Sequence, residues 1–169
     1  MTHVYIPATL AMLQQLVASG SLWPVNGTAF AVTPALREAY AEGDDDELAE
    51  VALREAALAS LRLLAADPGT GPAALPLRRA VLAAEVDPVT YRPDLDDAVI
   101  RLGAPVDIDQ VIAAYVDNAG AEGAVAKAIE VVDAADLGDE DADLVVGDAQ
   151  DHDLAWYATQ ELPFLLELL

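Results

Sequence analysis

The longest helical signal in the chain lies at residues 46–66, and every other element has to be placed around it. Asp44-Asp45-Asp46-Glu47 sets negative charge against the positive end of that helix. Leu48, Val51, Leu58 and Leu61 recur at a spacing that leaves them on one side. A helix with one apolar side needs a surface to lie on. The flanking stretches supply it, because several are short, rich in β-branched or aromatic residues and punctuated by Gly and Pro. At 169 residues the chain is long enough for one domain with a core, and 54% hydrophobic against 22% charged residues excludes wholesale disorder.

Before that helix, His3-Val4-Tyr5-Ile6-Pro7 reads as a strand, and Leu10, Leu13, Leu16 and Val17 follow at helical spacing until Gly20. Thr28-Ala29-Phe30-Ala31-Val32 reads as a second strand. Thr33-Pro34 then places a cap and a first-turn proline before a short helix reaching about Tyr40. Beyond the long helix, Asp67-Pro68-Gly69-Thr70-Gly71-Pro72 cannot continue a helix and forms a connection with the character of a hinge. Residues 79–86 and 97–102 are strand-like around a proline-containing loop, which predicts a long-looped hairpin. The stretch Val111–Val116 carries two signals. Asp107 and Gln110 resemble a capping box, while the β-branched content and the Asp117-Asn118 stop suit a buried strand, the preferred reading. Residues 121–135 form a helix with Val125, Ile129 and Val132 on one side, stopped by Gly138. Asp139-Glu140-Asp141-Ala142-Asp143 reads as a solvated acidic turn, residues 143–146 as a brief strand and residues 154–158 as the last strand. This order predicts an α+β domain over residues 1–169, with helices against one face of a largely antiparallel sheet. A ferredoxin-like core with a helical insertion accommodates it.

Three stretches have a further significance: Val4-Tyr5-Ile6-Pro7-Ala8-Thr9-Leu10; Ala31-Val32-Thr33-Pro34-Ala35-Leu36-Arg37-Glu38 with the later Ala59-Ser60-Leu61-Arg62-Leu63-Leu64; and Trp156-Tyr157-Ala158-Thr159-Gln160-Glu161-Leu162. Together they resemble an uncharacterised family of short acidic actinobacterial proteins, a domain of unknown function. The resemblance spans nearly the whole chain and implies no mechanism.

Function classes narrow by chemistry. With no cysteine, disulfides, thiolate nucleophiles and Cys-based metal sites are excluded. Eight Lys and Arg face thirty Asp and Glu, a formal charge of -22, so direct nucleic-acid binding and attraction to an anionic bilayer are not expected. Residues 94–169 carry 19 acids against Arg101 and Lys127, a net -17, whereas residues 1–93 carry 11 against six arginines, a net -5. The first positive side chain is Arg37, unlike the basic start of a secretory signal, and no run of about 18 apolar residues exists to span a bilayer. A cytoplasmic location without a membrane anchor is expected.

Candidate sites fall in the C-terminal part. Asp148, Asp151, His152 and Asp153 precede the last strand, and with Asp117 and Asn118, or with Asp109, they form a candidate polar cluster. Without zincin or EF-hand spacing, pairing of His152 with its acidic neighbours is the simpler reading, and no metal or cofactor is expected. His3 reads as structural, as do Arg78 and Arg79, which precede a strand near carboxylates. Trp156 and Tyr157 alternate across a strand, and with Glu161, Phe164, Leu165 and Leu168 they form a candidate interaction surface. Core packing of Trp156 is the simpler alternative. In the tail, Pro163 fits the first turn of a short helix whose Leu165, Leu168 and Leu169 face one surface.

The leading expectation is a non-enzymatic, acidic protein-interaction or regulatory module, acting on a protein partner or self-associating through the C-terminal tail. A carboxylate-dependent, metal-assisted enzyme and a DNA mimic filling a basic cleft are the alternatives. The charge has one direct consequence. Self-repulsion at low ionic strength opposes the folded state, so the melting temperature should rise between about 10 mM and about 300 mM sodium chloride, as the Debye length shrinks several-fold. A flat or falling melting temperature in a calorimetric scan would show that the acids are locally paired.

Overall fold

The computed structural model describes residues 1–67 and 74–169. Its first strand, β1 (Thr2–Ala8), leads directly into α1 (Leu10–Ser19), for reasons visible at both ends of the helix. The Thr9 hydroxyl accepts the Met12 N–H at 3.3 Å, and Gly20, at φ +81°, supplies the left-handed residue that ends it. The short β2 (Ser21–Leu22) and β3 (Thr28–Phe30) follow, then α2 (Pro34–Ala39), started by the Thr33 cap and Pro34. The long helix is α3 (Asp45–Ala66), capped by the Asp44 carboxylate, which accepts the Glu47 N–H at 2.8 Å. Its buried side is Leu48, Ala52, Ala56, Ala57, Ser60, Leu61 and Leu64, with Val51 and Leu58 at the margin. The expected connection from Asp67 to Pro72 lies outside the described residues except for Asp67 itself.

The remaining elements are β4 (Ala80–Val86), β5 (Val89–Tyr91), β6 (Val99–Leu102), β7 (Val106–Asp107), β8 (Val111–Val116), α4 (Glu122–Asp136), α5 (Glu140–Gln150), β9 (Ala155–Ala158) and α6 (Leu162–Glu167). Seven strands form an antiparallel sheet in the order β5-β6-β3-β1-β4-β8-β9, and β2 pairs with β7 separately. The fold is α+β. No helix among the described residues is long and apolar enough to cross a membrane.

Strand alternation sorts the core. Val4, Ile6 and Ala8 of β1 and Leu82 and Ala84 of β4 pack with α1 and with Leu162 and Leu165 of α6. Tyr5 of β1 and Val81 and Ala83 of β4 pack with Leu36 of α2 and with Leu48, Ala52, Ala56 and Ala57 of α3. Leu61 and Leu64, further along α3, join Val125, Ala128 and Val132 of α4 and Val146 and Ala149 of α5 in a third cluster. Helices therefore cover both faces of the sheet, not one. The expectation failed because the central strands are apolar on both sides: Val81, Leu82, Ala83 and Ala84 are all buried.

Three further expectations are corrected. The segments 79–86 and 97–102 do not pair as a hairpin. Buried on both faces, β4 lies between β1 and β8, and β6 takes its hairpin partner, β5, from within the loop. Residues 143–146 are not a strand but the middle of α5. Asp139 caps that helix by accepting the Ala142 N–H at 2.8 Å, Glu140, Asp141 and Asp143 occupy its first turn, and Ala142, Val146 and Ala149 form its buried stripe. The strand order does not confirm a ferredoxin-like core. β1 and β3, joined through α1, are direct antiparallel neighbours, as are β8 and β9, joined through α4 and α5, whereas a split strand-helix-strand unit leaves a strand between its members.

Val111–Val116 is the expected strand. The capping-box signal before it was physical too: Gln110 Oε1 accepts the Asp107 N–H at 2.9 Å, but the turn it closes, Ile108–Gln110, is a single 3-10 turn. In α6, Leu162 and Leu165 are buried and Leu169 is half-buried, whereas Leu168, expected on the same surface, is 85% exposed. The helix ends at Glu167, and the Leu168 N–H turns back to the Leu165 carbonyl at 3.2 Å. Truncation after Glu161 removes two buried leucines worth roughly 1.5 to 3 kcal/mol each. A marked fall in the melting temperature of the dilute protein is expected, and an unchanged value would show that α6 adds nothing to the core.

Candidate functional site

Arg79 precedes the apolar run of β4 and Asp117 follows that of β8, so antiparallel pairing of these strands brings two charged residues together beyond Ala80 and Val116. Arg79 is 1% exposed and Asp117 0%. The Arg79 guanidinium grips the carboxylate with two bonds, Nε to Oδ2 at 2.9 Å and Nη2 to Oδ1 at 2.7 Å, while the Arg79 backbone N–H donates to Oδ2 at 2.8 Å. Its other donors reach the end of α5: Nη1 to Gln150 Oε1 at 2.9 Å and Nη2 to the His152 carbonyl at 2.6 Å. Gln150 passes the connection to α3, donating to the Arg54 carbonyl at 3.1 Å and accepting from Arg54 Nη1 at 3.2 Å.

Above this network opens a cleft of about 470 Å³. It is lined by Glu50 and Arg54 of α3, Tyr115 of β8, and Gln150, His152 and Asp153, together with the buried Arg79. The Arg79 charge is met by Asp117, and Glu50 and Asp153 are exposed. Tyr115 belongs to an aromatic row: its ring lies 6.4 Å from Tyr5 at 60°, and Tyr5 lies 5.0 Å from His3 at 69°. Burial, then the Tyr115 phenol and the Asp46 carboxylate, push the Tyr5 phenol above its usual range, which keeps it neutral. On β9, Trp156 stands directly opposite Tyr115 and shares its face. The indole is 57% exposed.

A family model matches residues 2–166. The chain belongs to DUF6912, a family of unknown function. Neither a curated protein nor a solved structure matches it.

In this DUF6912 chain the candidate polar cluster is partly assembled. His152 and Asp153 line the cleft, and Asp117 lies beneath it, bound to Arg79. Asn118 instead caps a 3-10 turn, its Oδ1 accepting the Gly120 N–H at 3.0 Å; Asp148 is exposed on α5, Asp151 at its end and Asp109 beyond β7. Among the described residues no group of three or more His, Asp or Glu converges to hold a metal ion. The candidate interaction surface divides between two faces. Trp156 lies beside the cleft, Tyr157 packs half-buried toward α1 and α6, and Leu165 is buried there. Glu161 is exposed, as are Phe164 (69%) and Leu168. Sequence reading did not join Glu50, Arg54, Tyr115 and Gln150 to the site, because they come from α3, β8 and α5 and carry no local motif. Arg79 before β4 and Asp117 after β8 were the available signal, and it becomes readable once the two strands are paired.

Burial of Arg79 and Asp117 makes the pair sensitive to loss of either member. Asp117→Ala should lower unfolding free energy by about 3 to 5 kcal/mol, because it leaves the guanidinium uncompensated. Arg79→Met with Asp117→Leu should cost less than Asp117→Ala alone. Urea unfolding of the three proteins checks this order, and a near-neutral Asp117→Ala would show that Arg79 finds water in its place.

Proposed function

We propose that the protein is a non-enzymatic interaction module that recognises a basic segment of a partner protein on the face formed by Tyr115, Trp156, Glu50 and Asp153. The observation that carries this reading is the exposed Trp156, paired on β9 directly opposite Tyr115, which itself lines the cleft. Aromatic faces attract an ammonium or guanidinium group, and adjacent carboxylates add to that attraction. Glu50 and Asp153 both line the cleft and are exposed, and Arg54, which also lines it, donates to the Gln150 carbonyl. A protein of net charge -22 also draws a cationic partner toward it from a distance. A buried floor fixed by Arg79 supports recognition without rearrangement, since the loop bearing His152 and Asp153 is held in place before any partner arrives.

Fluorescence tests the reading directly. In a Trp23→Phe background, the remaining indole, Trp156, reports on its own face. An acetylated peptide of alternating lysine and valine, about eight residues long, should shift its emission, with affinity falling as salt rises. Trp156→Ala and Asp153→Asn should each weaken binding by about two- to fivefold, the range of an exposed cation-aromatic or ion-pair contact. For Trp156→Ala, calorimetry replaces the lost fluorescence. Equal binding of a peptide with glutamine in place of lysine would refute recognition of a basic segment.

A further inference from the structure

The seven-stranded sheet ends in β5 on one side and β9 on the other, and the two edges are built differently. β5 has the features that keep an edge strand from pairing with foreign chains: Pro88 directly before it, then Arg92 and Pro93 directly after it. β9 is directly flanked by Leu154 and Thr159, neither a proline nor a charged residue. Its four residues, Ala155, Trp156, Tyr157 and Ala158, include no charge, proline or glycine, and among the described residues it pairs with β8 alone. In any strand alternate backbone groups point to opposite edges, so β9 presents N–H and C=O groups on the side away from β8.

This edge is also held in place. Thr159 Oγ1 donates to the Val111 carbonyl at 2.8 Å just past its C-terminal end, and Arg79 Nη2 holds the His152 carbonyl ahead of its N-terminal end. An apolar edge fixed in this way would invite pairing with a second copy, but Asp151, Asp153 and Glu161 bracket it, all exposed. Two such edges brought together would place like charges side by side, which is unfavourable, whereas a segment carrying Lys or Arg meets opposite charge.

We infer that β9 accepts an extended, basic segment of a partner protein as an eighth strand of the sheet. The inference rests on the proposed recognition face and supplies its geometry. Backbone bonds to β9 hold the segment, and alternate side chains project onto the face of Tyr115 and Trp156, where a lysine or arginine meets the rings and the Asp153 carboxylate. The added strand occupies the edge and leaves the cleft open to its side chains.

Amide hydrogen exchange on the full chain, read by NMR with the lysine-valine peptide at saturation, tests the geometry. The amides of residues 155–158 that face away from β8 should exchange at least about tenfold more slowly in the complex, as new interstrand bonds form. A peptide of the same side chains with every backbone amide N-methylated should bind at least about tenfold more weakly, since it cannot donate to the edge. Equal binding of both peptides, with β9 exchange unchanged, would overturn strand addition while leaving recognition of the basic side chains intact. No binding of either peptide would overturn both readings. Protection of the same amides in a concentration-dependent dimer without peptide would assign the edge to a second copy and overturn the proposal.

Discussion

The Arg79–Asp117 pair is the interaction on which the arrangement of this molecule turns. A guanidinium and a carboxylate taken out of water lose several kcal/mol of hydration each, so such a pair persists only where its remaining donors and acceptors are also met. Here they are. The carboxylate accepts three bonds from Arg79, and the guanidinium extends to Gln150 and the His152 carbonyl. One residue at the start of β4 thereby fixes the end of β8, the end of α5 and the loop that leads into β9. Because the loop is part of this satisfied network, the cleft and the edge strand beside it inherit a defined geometry.

Ser60 does similar work on the neighbouring ladder. Its hydroxyl donates to the Ala8 carbonyl at 2.7 Å and accepts the Ala80 N–H at 3.0 Å, joining the end of β1 and the start of β4 to the buried side of α3. The small residues around it bring the layers together: Ala52, Ala56 and Ala57 on α3 face Ala83 and Ala113 on the sheet. At one end of the sheet, buried polar groups thus find partners on α3 or α5, which meets the requirement that polar atoms removed from water be hydrogen-bonded.

Charge is arranged differently from the core. Arg37, Arg62, Arg78 and Arg92 pair with Asp45, Asp136, Glu122 and Asp94, and the exposed pairs contribute little to stability. Acids on α5 have a local role at the positive end of that helix. On α3, burial and then the Asp96 carboxylate push the Glu55 carboxyl up, against Arg62 and Arg54, yet Glu55 does not line the cleft. Around the cleft and β9, by contrast, Glu50, Asp153 and Glu161 are exposed and take part in none of these pairs.

The amino-acid sequence by itself determined the elements whose signals are local. Thr9 and Gly20 delimit α1, Thr33 and Pro34 start α2, Asp44 starts α3, and β-branched residues followed by Asp117 make β8 a strand. It misrepresented α5, because Leu144 and Val145 beside Val146 look like a strand while Leu144 is 70% exposed and the stripe that packs is made of small residues. The candidate site was legible only in part. His152, Asp153, Asp117 and Trp156 stand out by type and position, but Glu50, Tyr115 and Gln150 do not. Strand order, the burial of β4 on both faces, the union of Arg79 with Asp117 and the open edge of β9 were decided by the tertiary structure. Each depends on which distant segments pair, and that choice follows from burying apolar surface and satisfying polar groups across the whole chain at once, not from any residue's neighbours in sequence.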